Sequence, residues 1–277
     1  AGTETGLYVS FDDGRRWTRL QANLPIVPVH DLVVKDGDLV LATHGRSFWI
    51  LDDITPLRQG LVRSLGHATR LFAPRATTRY RTAGSFSQRA GKGGGEGGTS
   101  YRKSGATTVA WRVVSRDGEA TPQLLDAGPN PPDGVVVSYL IGRRPTTPVT
   151  ITFHDDRDRE LAAFSSAGSD PREPRVPTAT GLNRFVWNMC ARGASRIAGP
   201  GPEIWVLSAE RALVGPVVPP GIYTVRLRAD GETYAVSFEL RADPWSGTAT
   251  ADLERQFALL CRLRDLLSRA TGISRTW

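Results

Sequence analysis

Cysteine, lysine, methionine and histidine are all scarce. The 277 residues hold two Cys, one Met and four His, and only Lys35, Lys92 and Lys103 are lysines. Two cysteines do not make a disulfide framework. Cys190 follows a strand-like run and Cys261 lies in a helix-like one, which leaves two buried free thiols or one structural disulfide. His30, His44, His67 and His154 have neither metal-ligand spacing nor a neighbouring Cys, so neither a metal nor a cofactor is expected. No apolar run of about 18 residues occurs, so no transmembrane helix is expected. The start, AGTETGLYVSFDDG, lacks the charged and apolar regions of a signal peptide. No G-x-S-x-G or other nucleophile motif is present. Asp52 and Asp53 are adjacent, and on a strand they point to opposite faces rather than across a substrate. No catalytic residue is expected in this chain.

Arginine is abundant instead, at 32 residues, and the formal charge is +7 with a pI near 9.9. The excess is local. Arg58 to Lys103 holds ten Lys/Arg and the single acid Glu96, a net of +9, so everything else nets −2. Tyr80, Phe86 and Tyr101 interleave there with Arg79, Arg81, Arg89 and Arg102, a weak stacking array. No nucleic-acid-binding fold accompanies it, and high Arg with scarce Lys reads as composition bias. Neither nucleic acid nor a membrane is expected as a partner. Residues 84–98 hold seven Gly, the composition of a flexible linker. Gly93 to Gly98 satisfies G-x-G-x-x-G formally, but without a preceding strand and a following helix the dinucleotide reading fails.

The rest of the chain reads mainly as β. Residues 1–58 alternate short strands and turns, with Asp36-Gly37 the expected tight turn between Leu32-Val33-Val34 and Leu39-Val40-Leu41. Ser10, Asp12, Gly14 and Trp17 stand in the spacing S-x-D-x-G-x-x-W. Ser and Asp bond the turn's amides, Gly takes a positive φ, and Trp covers the hairpin. His44 and Arg46 flank a turn at a strand edge. Strand rhythm returns from about Thr107, with Val135–Leu140, Val149–Phe153, Gly181–Trp187 and a hairpin around Asp230-Gly231. Leu182, Phe185 and Trp187 are expected to contribute to the core. The dense cluster His154 to Glu160 lacks the Gly and the distal Glu of a calcium loop and is expected to be a solvated hairpin turn. Ile197–Leu213 reads as a long loop. Residues 251–270 read as an amphipathic helix with Leu253, Phe257, Leu260, Leu263 and Leu267 on one stripe and Thr250 as N-cap.

The Ser10–Trp17 motif, with Tyr8 before it and His44 to Asp53 after it, resembles the end of a sortilin-like or glycosyl-hydrolase-like BNR (Asp-box) β-propeller. Asn130–Gly134, Gly181–Asn188 and Pro219–Val225 resemble the Ig-like module that follows the propeller in those proteins, itself similar to the Ig-like repeat of flagellar hook-capping proteins. Asn188-Met189-Cys190 departs from the pattern, where relatives carry an acidic residue and a short basic continuation. The resemblance implies last-blade strands over 1–58 and a partly disordered Arg/Gly linker over 59–106. An Ig-like β-sandwich over 107–245 and a helix over 250–272, the first of a helical hairpin, complete it. It implies a structural role for Ser10, Asp12, Gly14 and Trp17, and a channel-lining place for His44 and Arg46. It also implies an extracytoplasmic parent, with upstream blades as packing partner and carbohydrate or peptide as ligand. The expected function is non-catalytic, structural or ligand-presenting. Two alternatives are an accessory module of a sialidase-like glycoside hydrolase whose site lies upstream, and a sortilin-like peptide- or protein-binding scaffold. Sialidases of this class draw an arginine cluster with Tyr, Glu and Asp from several blades, so one blade cannot assemble that site.

Overall fold

The computed structural model describes residues 1–64, 68–80, 99–104, 107–116, 119–124, 128, 131–170, 173–195 and 214–273. The glycine-rich centre of the connector, the G-x-G-x-x-G run, His67 and the Ile197–Leu213 loop lie outside these residues. The described chain is mainly β with a C-terminal helix, and it divides into two compact units, residues 1–79 with 134–277, and residues 80–133.

The first unit opens with strands β1 (Gly2–Thr3), β2 (Gly6–Val9) and β3 (Thr18–Arg19), paired antiparallel in that order. A second meander follows, β4 (Val29–Lys35), β5 (Asp38–Thr43) and β6 (Phe48–Leu51). Asp36 and Gly37 both take positive φ, 51° and 88°, which is the primed turn whose twist suits a two-residue hairpin. Cross-strand register puts Leu32, Leu41 and Trp49 on one face, where Leu39 and Leu41 join Leu7, Leu24 and Val27 in a small core. Two single-turn helices, α1 (Thr55–Arg58) and α2 (Leu61–Ser64), carry the chain onward.

Part of the stretch read as connector is built into sheets. Strand β7 (Arg70–Leu71) pairs with a later strand, β12 (Val135–Ile141), and β8 (Thr77–Arg79) runs parallel to the last one, β17 (Glu232–Ala242). Leu71 and Phe72 are the reason. Both are buried, and two such side chains are held by the body rather than left to solvent. The second unit carries β9 (Thr99–Ser104), β10 (Thr107–Arg116) and β11 (Glu119–Leu124) as an antiparallel sheet. Strand β10 therefore pairs with β9 and β11 rather than with the strands after Val135.

Strands β12, β15 (Gly181–Trp187) and β7 form one sheet of the first unit. A five-stranded sheet is ordered β14 (Glu160–Ser165), β13 (Thr150–His154), β16 (Gly221–Ala229), β17, β8. Their inner faces share one core, Val135, Val137 and Trp187 from the first meeting Ile151, Phe153, Val225 and Leu227 from the second. Strand β16 alternates, with Tyr223, Val225 and Leu227 buried and Ile222 exposed. Leu182 corrects the expectation. It is exposed while Phe185 and Trp187 are buried, because a residue three or five positions away on a strand faces the opposite side. Both cysteines are free thiols, and burial pushes that of Cys190 up to about 11, which makes it inert.

Helix α3 runs Thr250–Ile273, and the Leu253 N–H donates to Ala249 O, so Ala249 rather than Thr250 stands at the N-cap. Its docked side is also offset from the expected stripe. Leu253, Phe257, Cys261, Arg264 and Ser268 are half-buried, while Leu260, Leu263 and Leu267 are exposed. Polar anchors set this rotation. Ser195 N–H donates to Ser268 Oγ (3.0 Å) and Arg264 Nη1 donates to Arg192 O (3.3 Å), with Phe257 packing on the core.

Gly134 enters β12 at φ +136°, and a Cβ there would lie 2.3 Å from Trp187 O. Gly231 has φ +87° with open space around it. Urea unfolding is expected to separate the two: Gly134→Ala costs at least about 2 kcal/mol by clash plus strain, and Gly231→Ala about 1 kcal/mol by strain alone.

Candidate functional site

Four groups of polar side chains are candidates for chemistry. The first is the Ser10–Trp17 turn. Ser10 Oγ accepts the Gly14 N–H (2.8 Å) and donates to Asp12 Oδ1 (3.0 Å), which in turn accepts the Arg16 N–H (2.8 Å). Gly14 sits at φ +85°, and a Cβ there would lie 3.7 Å from the Trp17 ring. Ser10, Asp12, Gly14 and Trp17 thus meet in one closed turn between β2 and β3. Their bonding capacity is directed at the backbone, as a turn needs and as a reaction does not.

His44 and Arg46 occupy the turn between β5 and β6. The His44 N–H donates to Pro28 O (3.0 Å), the Arg46 carbonyl accepts the Trp49 indole N–H (2.9 Å), and both side chains are exposed. The His30 and His44 rings lie 5.1 Å apart. Two imidazoles make an incomplete metal set, and among the described residues no group of three or more His, Cys, Asp or Glu is placed to hold a metal.

The third group was only half visible in the sequence. Asp38 joins Asp52 and Asp53 from the start of β5. Asp38 Oδ1 accepts the Asp53 N–H (2.8 Å) and pairs with Arg75 Nη1 (2.7 Å), while Arg184 Nη2 approaches Asp52 O (3.5 Å). Burial pushes the Asp52 carboxyl above its ordinary range, the Asp38 charge adds to this, and Arg184 and Arg75 oppose it. Asp38, Arg75 and Arg184 lie too far apart in sequence for any motif to connect them. An acidic turn residue and a lone Arg in a basic stretch are their only signals.

The His154–Glu160 cluster is the fourth, a hairpin turn between β13 and β14. Asp155 Oδ1 accepts the N–H groups of Arg157 (3.0 Å) and Arg159 (2.8 Å), and Oδ2 accepts Arg159 Nε (2.7 Å). Burial raises the Asp155 carboxyl, but these bonds and the Arg159 charge outweigh it and hold it below the usual range. Asp158 pairs with Arg226 (2.5 Å), and buried His154 places Nε2 2.9 Å from Thr152 Oγ1. Both Asp155 oxygens and one of Asp158 are thus taken by arginines and amides, which leaves fewer ligands than a calcium loop supplies.

No family model matches the chain, and neither a curated protein nor a solved structure matches it.

An acid raised in the folded state destabilises the fold once ionised, so its penalty is absent below its ordinary 3.8 and grows as pH rises through the folded value. Asp52→Asn is therefore expected to stabilise the chain at pH 7, by less than about 1 kcal/mol because solvent screens the half-exposed group. The gain disappears below about pH 4 in denaturant melts run across pH.

Proposed function

We propose that residues 1–58 are the closing blade strands of an Asp-box β-propeller whose other blades pack on the β4–β6 sheet. The chain as a whole is then a non-catalytic structural or ligand-presenting part of an extracytoplasmic protein. The strands after Val135 form the Ig-like sandwich of that arrangement. The ligand class is carbohydrate or peptide, as the resemblance implies.

The observation that supports this reading is a sheet with two apolar faces. One face of the β4–β6 meander covers the small core. Register places Val33, Val40 and Ile50 in one row of the opposite face, with Asp31, Ala42 and Phe48 in the next, so this face is largely apolar. Phe48 is 73 % exposed, Ile50 59 % and Val33 55 %. An antiparallel sheet serving as an outer layer alternates apolar and polar, whereas one packed on both sides is apolar throughout. Burying each such side chain is worth about 1.5–3 kcal/mol, a strong drive to cover this face with another sheet. The closed Ser10–Trp17 turn supports the structural role. Among the described residues no helix is long and apolar enough to cross a membrane.

The double variant Phe48→Ser, Ile50→Ser is expected to cut binding of an apolar-surface dye while moving stability by no more than about 0.5 kcal/mol. A loss of about 2 kcal/mol or more, as for a core position, shows the face covered within this chain and overturns the blade reading. A panel of chromogenic glycosides is expected to show no turnover, and turnover by this chain overturns the non-catalytic part.

A further inference from the structure

The outer face of β13 and β14 holds a cleft of about 300 Å³ that none of the four polar groups explains. That volume lies at the lower end of ligand pockets, so it suits a small molecule. Its floor carries three hydroxyls, Thr150, Thr152 and Ser165, and its rim carries Glu173, Arg175 and Arg192. Both arginines are exposed, and among the described residues neither guanidinium has an ion-pair partner. This sets them apart from Arg75, Arg159 and Arg226, each already paired with a carboxylate.

The surroundings favour an anion. Arg226 and Arg228 stand cross-strand from Thr152 and Thr150 on the same sheet face, and Asp158 neutralises only Arg226. His154 Nε2, 2.9 Å from Thr152 Oγ1, orients that hydroxyl from within the turn. Among the described lining residues Glu173 is the one carboxylate, and it repels a bare anion but accepts a hydroxyl donor. Pro174 adds apolar wall for C–H groups.

We propose that this cleft binds a small polyhydroxylated anion, its carboxylate or phosphate held by the Arg175 and Arg192 guanidiniums and its hydroxyls by Glu173 and the threonines. Guanidinium forks match carboxylate and phosphate oxygens, while hydroxyls and a carboxylate match a polyol. The assignment stands apart from the blade reading. Failure here leaves the apolar-face result untouched, and failure there leaves this cleft unaffected.

Calorimetric titration of the full chain with glucuronate and with glucose 6-phosphate tests it, with glucose and acetate as controls. Saturable 1:1 binding of at least one of the two anions is expected, and the stronger of them identifies carboxylate or phosphate as the preferred group. Each control is expected to bind about tenfold more weakly or worse, as is the better ligand to Arg175→Ala and to Arg192→Ala. Both replacements are at exposed positions, so the melting temperature should hold. Thr152→Val reads the hydroxyl floor separately and is expected to weaken binding without affecting the guanidiniums. Binding of neither anion, glucose or acetate binding as tightly as the better anion, or full affinity in both arginine variants overturns the proposal.

Discussion

The ring stack of Trp187 on Phe153 holds the larger β body together. The rings lie 4.2 Å apart and nearly parallel, joining the last residue of β15 to β13 across the space between the two sheets. Phe238 and Tyr223 meet the indole edge-on, and its Nε1–H is satisfied by Cys190 O at 2.9 Å. A fully buried Trp contributes a large apolar area only if its one polar atom is bonded, and here it is. The backbone is shaped around this residue. Gly134 passes so close to Trp187 O that no Cβ fits, and Cys190 bridges to Val217 beyond it.

The N-terminal sheets reach this body through short segments whose bonds are local. The Gln59 side chain accepts the Ala73 N–H and donates to Ala73 O, both at 2.8 Å, closing the loop that α1 and α2 begin. Phe72 then fills a small cluster with Leu61 and Leu140, its N–H donating to Ser138 O on β12. Arg75 completes the connection at Asp38. An apolar plug, a reciprocal amide pair and one half-buried ion pair therefore determine how the β4–β6 meander stands against the larger body.

What the sequence disclosed follows the range of the interactions. Asp36-Gly37 and Asp230-Gly231 are legible because a primed turn needs positive φ at both positions, and both pairs adopt it. The alternation on β16 is legible for the same local reason. Leu182 misled because an apolar residue on a strand carries no mark of which face it takes. The helix stripe misled because Ser195 and Arg192, some 70 residues earlier in the chain, set the rotation of α3. The Asp38–Arg75 pair spans 37 residues, and β8 is a three-residue Thr-Thr-Arg segment with no strand signature until β17 supplies its partner. The cleft was invisible for a related reason. Glu173, Arg175 and Arg192 sit in irregular chain, and only the fold brings them over the threonines of β13.

Arginine is the residue this chain spends most freely, and its bonding separates structure from function. Arg75, Arg159 and Arg226 each satisfy a carboxylate that would otherwise be available for proton transfer or metal binding. Asp12 is bonded to the backbone of its own turn. A catalytic carboxylate needs free lone pairs facing a substrate, and these acids have given theirs to donors within the fold. The same reasoning points outward at the cleft. There, among the described residues, the guanidiniums of Arg175 and Arg192 have no ion-pair partner, and such a cation beside a row of hydroxyls carries a capacity that the described fold does not use.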